Sequence, residues 1–198
     1  MKPLKLFVIG LIAATLLAGC TAGTDFTRAK DDAVVLGTTT YQSIRDQMGA
    51  PEKEGVITQN DQKFHTLTYT YASSGGESLY SGATPGRTQV LFFKEDVLVG
   101  HEFLSSFKED NTDFDERKMS EINEEVSLRA DVISLLGEPS GTFIHPLADN
   151  ENGETLVYSY THVTSSAFSI NVFAKRLLVE LDNDDVVLNV EYSQSGHK

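Results

Sequence analysis

Cys20 is the residue whose surroundings most clearly assign it a chemistry, because it is the sole cysteine and follows directly on Leu17, Ala18 and Gly19. Lys2 and Lys5 precede an apolar run of twelve residues, Leu6 to Leu17, broken only by Thr15. A basic start, a short apolar stretch and small residues before a cleavage point are the layout of a secretory signal. A bilayer span needs about 20 apolar residues, so this run is too short to cross comfortably. The other candidate residues are scattered. His65, His101, His145, His162 and His197 share no metal-ligand spacing. The adjacent pair His101 and Glu102 would point to opposite faces of a strand. Asp182, Asn183, Asp184 and Asp185 cluster carboxylates, but Val187 stands where a calcium loop needs glycine and Ser193 where it needs glutamate. That turn is expected to be solvated, as is the carboxylate run from Glu109 to Glu125. No G-x-S-x-G, H-E-x-x-H, P-loop or dinucleotide fingerprint occurs. The chain therefore offers no reacting groups with assignable roles, and the expectation is a non-enzyme without a metal.

The ending L-A-G-C resembles the bacterial lipoprotein signal, in which the cysteine is acylated and becomes the first mature residue. That resemblance implies a diacylglyceryl and N-acyl anchor on Cys20 and no other cofactor. Several acyl chains hold a protein stably where one does not. The full chain carries 16 Lys and Arg against 29 Asp and Glu, and removing residues 1–19 takes Lys2 and Lys5 with it, moving the net charge from −13 to −15. Such a surface repels nucleic acid and anionic headgroups, so membrane attachment is expected through lipid rather than a basic patch. A lone cysteine excludes an intramolecular disulfide, and a 40 % hydrophobic composition is ample for a packed core.

The chain also repeats itself. Ile44, Gly49 and Pro51 recur 88 residues later as Val132, Gly137 and Pro139, and Thr66, Leu67, Tyr69 and Tyr71 recur 89 residues later as Thr155, Leu156, Tyr158 and Tyr160. Phe103 maps to Tyr192 at the same offset of 89. Thr39 or Thr40 and, in the second half, Ser127 are candidate N-caps. Tyr41, Ile44 and Met48 mark one helix face, and Leu128, Val132, Leu135 and Leu136 mark another. Gly49 and Gly137, each followed by proline two residues on, end these helices. Short preceding helices are expected within Asp25 to Val35 and Glu116 to Asn123. The Tyr-rich strands are followed by hairpins, Thr88–Phe93 with Val97–Phe103 and Lys175–Leu181 with Val186–Tyr192. The stretch from Ser73 to Arg87 reads as a long loop. The expected fold is α+β: two tandem units, each of two helices and a three-stranded antiparallel meander. The boundaries are residues 1–19 for the signal, 20–31 for a lipidated tether, 32–108 and 121–195 for the units, and 109–120 for an acidic linker.

Gly37, Thr39 or Thr40, Ile44, Met48, Gly49 and Pro51, followed by the Tyr-rich strand, resemble the SmpA/OmlA (BamE-like) outer-membrane lipoprotein domain. The second half keeps Val132, Leu136, Gly137 and Pro139, with Glu125 where the first has Gly37. Two such units in tandem resemble the architecture of β-lactamase inhibitory protein. The resemblance implies a protein lipid-anchored at the periplasmic face of the outer membrane. It would serve as a protein-binding or scaffold module in outer-membrane assembly or envelope maintenance; the alternative is an inhibitor or ligand-binding protein of a periplasmic enzyme. Thr21, in place of the Asp associated with inner-membrane retention, agrees with outer-membrane placement. Two surfaces are candidates for partner contact: a polar sheet face with Thr68, Thr70, Ser159 and Thr161, and the long loop with Leu79 and Tyr80.

Overall fold

The structure, a computed structural model, describes residues 21–29, 33–165 and 169–196. Cys20 and the signal lie outside the described residues. Along the chain run β1 (Thr21–Gly23), α1 (Tyr41–Met48), β2 (Lys53–Gln59), β3 (Gln62–Ser73), β4 (Ala83–Thr84), β5 (Gly86–Lys94) and β6 (Val97–Ser105). A 3₁₀ turn (Glu116–Glu121) then leads to α2 (Arg129–Leu136), β7 (Gly141–Ile144), β8 (Glu154–Ser165), β9 (Ile170–Leu181) and β10 (Val187–Ser195).

These strands form one antiparallel ten-stranded sheet, in the order β1-β3-β5-β6-β7-β8-β9-β10, with β2 also on β3 and β4 also on β8. This overturns the expected α+β fold of two helix-helix units with small three-stranded meanders. Residues 24–29 are not helical, and Glu116–Glu121 is a single 3₁₀ segment. The meanders gain β2 and β7 and fuse. The fusion runs through β6 and β7, where Gly100, His101 and Glu102 pair with Phe143, Thr142 and Gly141. Gly141 permits that approach, since a Cβ there would lie 2.1 Å from the His101 carbonyl oxygen.

The repeat is nonetheless written into the geometry. Thr40 Oγ1 accepts from the Ser43 amide at 3.2 Å and caps α1, while Gly49 and Gly137 close the two helices at φ 80° and 84°. Ser127 is not the cap of α2; the cap position is Leu128, whose amide donates to Asp131 at 2.9 Å. Tyr69 and Tyr158 each donate to the carbonyl of their helix-closing glycine at 3.0 Å. Gly37 donates to Leu98 O at 2.8 Å and Glu125 to Val187 O at 2.7 Å, both from left-handed backbone.

One face of the sheet carries α1 and α2. Ile44 packs with Leu67, Tyr69, Leu91, Phe93 and Leu98, and Val132 with Leu156, Tyr158, Leu177, Val179 and Leu181. Alternation in the strands turns the intervening residues to the opposite face. That face has a small core of its own at one end, where Phe64, Val99, Phe143 and Val157 are covered by Leu147 and Ala148. Gln59 holds this cover by donating to the Leu147 carbonyl at 2.7 Å.

Candidate functional site

The open remainder of the second face is built by both halves of the chain. Thr68 and Thr70 lie beside Val90 and Thr88 on β3 and β5. Glu102 of β6 faces Val90. On the other side of the seam, Ser159 and Thr161 of β8 face Arg176 and Ala174 of β9. Beyond Gly141, where β7 begins, a cleft of about 280 Å³ opens between β6 and β8, lined by Glu102, Leu104, Ser159, Thr161, Arg176 and Ser193 among others. Arg176 Nη2 donates to Glu102 Oε2 at 3.0 Å across the cleft and lies over the Phe143 ring at 5.7 Å. Glu102 is 8 % exposed and the Arg176 side chain 42 %, so one partner is buried and the other faces solvent.

Thr70 is exposed and Thr68 and Thr161 half-buried, as an open face requires, but Ser159 is only 3 % exposed. Its Oγ has no hydrogen-bond partner, and neither has Arg176 Nε. A buried hydroxyl without a partner costs about 1–3 kcal/mol, a cost that an incoming polar group removes. Leu79 and Tyr80 do not join this surface. Tyr80 packs on Tyr160 and His162, stacked on the latter at 4.9 Å, and donates to Asp113 Oδ2 at 2.6 Å. The 74–85 loop is thus tied down, and β4 within it crosses to pair with Val163 and Thr164. Leu79 remains 40 % exposed.

The acidic linker is not a solvated spacer. Thr112 bridges the halves: its amide donates to Ser105 O at 3.0 Å and its hydroxyl to Ser159 O at 2.7 Å. Arg87, 8 % exposed, pairs with Glu109 at 2.8 Å and Asp110 at 3.1 Å. Lys175, whose side chain is fully buried, pairs with Asp113 and Glu116 at 2.6 Å each and donates to Phe114 O. Each cation lies 4.3 Å over a phenylalanine ring, Arg87 on Phe107 at the end of the first unit and Lys175 on Phe114 in the linker. The two are repeat equivalents, since Arg87 pairs across strands with Tyr71 and Lys175 with Tyr160. Their 88-residue offset was a usable sequence signal; the Glu102 and Arg176 pair had none. Burial and the nearby Asp113 and Tyr80 push the Tyr160 hydroxyl above the ordinary tyrosine range.

A cavity of about 720 Å³ on the helical face includes Arg28, His101, Arg129 and Glu154 in its lining. Its arginines are already engaged, Arg28 with Pro139 O at 3.2 Å and Arg129 with Glu154 and Asp185. In the acidic turn, Asp182 Oδ1 accepts from the amides of Asp184 and Val186 at 2.9 Å each. Among the described residues, no group of three or more His, Cys, Asp or Glu is placed to hold a metal ion. Comparison with protein-family models, with curated proteins and with solved structures returns no match for this chain.

Proposed function

We propose that this chain is a lipid-anchored, periplasm-facing lipoprotein that binds another envelope protein through its open sheet face and serves outer-membrane assembly or envelope maintenance without enzymatic activity. The observation that carries the binding role is the Glu102 and Arg176 cleft. It is polar, it is shared by both halves, and its Ser159 Oγ and Arg176 Nε lack partners. Such groups recognise a partner's carbonyl or carboxylate, with arginine supplying direction as well as charge. The anchor reading rests on Leu17 to Cys20.

A photo-crosslinking residue at Thr161, introduced in intact cells, tests the proposal. An envelope assembly component captured at Thr161, and lost with Arg176→Ala, supports it. Capture of a periplasmic enzyme whose activity the soluble chain lowers would replace the scaffold role by inhibition. Equal capture from Thr161 and from exposed Asn183, in the turn between β9 and β10, would remove the open face as the docking surface.

A further inference from the structure

The anchor reading places lipid on Cys20, and the fold determines where that end of the chain leaves the body. Thr21, the next residue, is already in the sheet, paired with Ser73, while Ala22 pairs with Ala72 and Gly23 with Tyr71. Gly23 has φ +79° and lies so close to β3 that a Cβ would sit 1.9 Å from Thr70 O. The Glu52 carboxylate then accepts from the amides of Thr24 at 3.1 Å and Thr70 at 3.0 Å. Phe26 packs on Tyr69 and Phe103, and Arg87 donates to its carbonyl at 3.1 Å. Thr21, the first residue after Cys20 in the sequence, is itself a sheet residue.

The strand register puts Thr21 at the end where β5 begins, β6 stops and β8 turns into β9. Most charges at that end are paired. Ser165, Ser169, Ile170 and Asn171 there are uncharged. Glu77 is paired with Lys108 at 3.3 Å, and Arg87 is shared by Glu109 at 2.8 Å and Asp110 at 3.1 Å, with Asp25 and Glu52 on the flank. Leu79, Ile170 and Val172 are exposed there, at 40, 74 and 50 %. The opposite end is acidic. Its turns expose Asp61, Glu95, Asp96, Glu151, Asp184 and Asp185, accompanied by Lys63, Lys94 and Arg129, the last paired with Asp185 at 2.9 Å. A strand of twelve residues such as β8 spans roughly 40 Å between the two ends.

We infer that the lipidated protein stands upright on the bilayer, with Leu79 and Ile170 against the headgroups and the acidic turns directed away from it. The inference rests on the Cys20 anchor and adds the surface that meets lipid. An anionic membrane surface repels the acidic end, whereas exposed aliphatic side chains gain by entering the interface. The β1 pairing holds the body in that attitude because it removes the tether that would let it tumble. The open face then stands along the membrane normal and is reached from the side.

Full-length lipidated protein in vesicles of phosphatidylethanolamine and phosphatidylglycerol provides the test. Because Cys20 is the sole cysteine and the anchor reading occupies its sulfur with the diacylglyceryl thioether, Leu79→Cys, Ile170→Cys and Asp184→Cys each supply one thiol for a fluorophore. Headgroup-labelled quencher lipid is expected to quench the labels at 79 and 170 and to leave the label at 184 at its quencher-free level. Equal quenching at 79, 170 and 184 on vesicles that carry the protein overturns the orientation alone. Protein that fails to float with vesicles and has an unmodified N-terminus overturns the anchor reading, and the orientation with it. A ten-residue Gly/Ser insertion between Cys20 and Thr21 is expected to shrink the contrast; an unchanged contrast would show that the β1 latch does not orient the body.

Discussion

Replacing Lys175 by methionine removes one charge from a fully buried side chain while keeping most of its volume. Asp113, with 15 % of its side chain exposed, and Glu116, with 34 %, then face each other without the cation that lay 2.6 Å from both. Breaking a buried pair by removing one partner costs about 3–5 kcal/mol. The partial exposure of both carboxylates admits water, which puts this case near the lower end, about 3 kcal/mol. For a chain of this size that corresponds to a fall in Tm of roughly 6–12 °C. The control is Lys108→Met, which breaks a pair whose side chains are 66 and 81 % exposed. Exposed pairs contribute about 0–1 kcal/mol. Urea unfolding followed by far-UV circular dichroism compares the two; tyrosine is the intrinsic fluorophore, because the chain has seven Tyr and no Trp. Tryptic cleavage at Arg117 and Lys118 should accelerate only in Lys175→Met, since that variant alone releases Asp113 and Glu116 from β9. A cost for Lys175→Met within about 1 kcal/mol of the control would refute the linker clamp. Adding Asp113→Asn and Glu116→Gln should recover part of the loss, because a wholly neutral network leaves no unpaired charge.

Tyr69→Phe and Tyr158→Phe should each cost about 1 kcal/mol and add in the double variant, since each hydroxyl serves its own glycine carbonyl; calorimetric unfolding measures both. Glu125→Gly should raise stability by about 1 kcal/mol, because a non-glycine residue in left-handed backbone, here at φ +63°, costs about 1–2 kcal/mol and glycine returns part of that gain as chain entropy. Burial pushes the Glu52 carboxyl up, but the Thr24 and Thr70 amides outweigh it and hold it below the usual range. The folded state therefore binds that proton less readily than the unfolded one. Its contribution is complete above the usual carboxylate range and is lost as pH falls through the folded value. The protection factors of the Thr24 and Thr70 amides, taken against their intrinsic exchange rates at each pH, should fall on acidification, and Glu52→Gln should abolish that fall.

Local signals in this sequence were strong where a single residue type has a single use. Thr40, Gly49 and Gly137 delimit helices because an N-cap needs a side-chain oxygen and a left-handed terminus favours glycine. Strands β3, β5, β8 and β9 carry alternation long enough to read. Strand β2 escaped notice because nearly all of it is exposed, so Lys53–Gln59 shows no apolar alternation. Strand β7 has four residues, too few for a period to appear. The fusion of two meanders depended on Gly141, which lets the β6 backbone approach, and on Gly100, which leaves room for the Leu147 and Phe143 side chains; both requirements are tertiary and leave no local pattern. Helix-like spacing in Glu116–Asn123 was overridden by packing: Asp113 and Glu116 are pulled onto Lys175, and only a 3₁₀ turn forms between them and Ile122. Of the proposed partner surface, Thr68, Thr70 and Thr161 were legible from alternation alone. The Glu102 and Arg176 pair, 74 residues apart, required the register.

The repeat separates what holds this molecule together from what distinguishes its halves. On the helical face, equivalent positions keep their identity or charge: Leu67 and Leu156, Tyr69 and Tyr158, Tyr71 and Tyr160, Arg87 and Lys175. Each has a packing or clamping task that both halves share. On the open face Thr66 and Thr155 also match, but the same register pairs unlike residues elsewhere, Thr68 with Val157, Ala72 with Thr161 and Thr88 with Arg176. Folding places no common demand on these positions, so they are free to differ, and the difference creates an arginine in one half that reaches a glutamate in the other. A surface whose central contact exists only when both halves share one sheet is suited to engage one partner with both halves together. Arg176→Thr, which restores the residue of the first half, combined with Glu102→Gln so that no buried carboxylate is left without its cation, should then weaken partner capture at Thr161 while leaving the Lys175 clamp and the unfolding midpoint nearly unchanged.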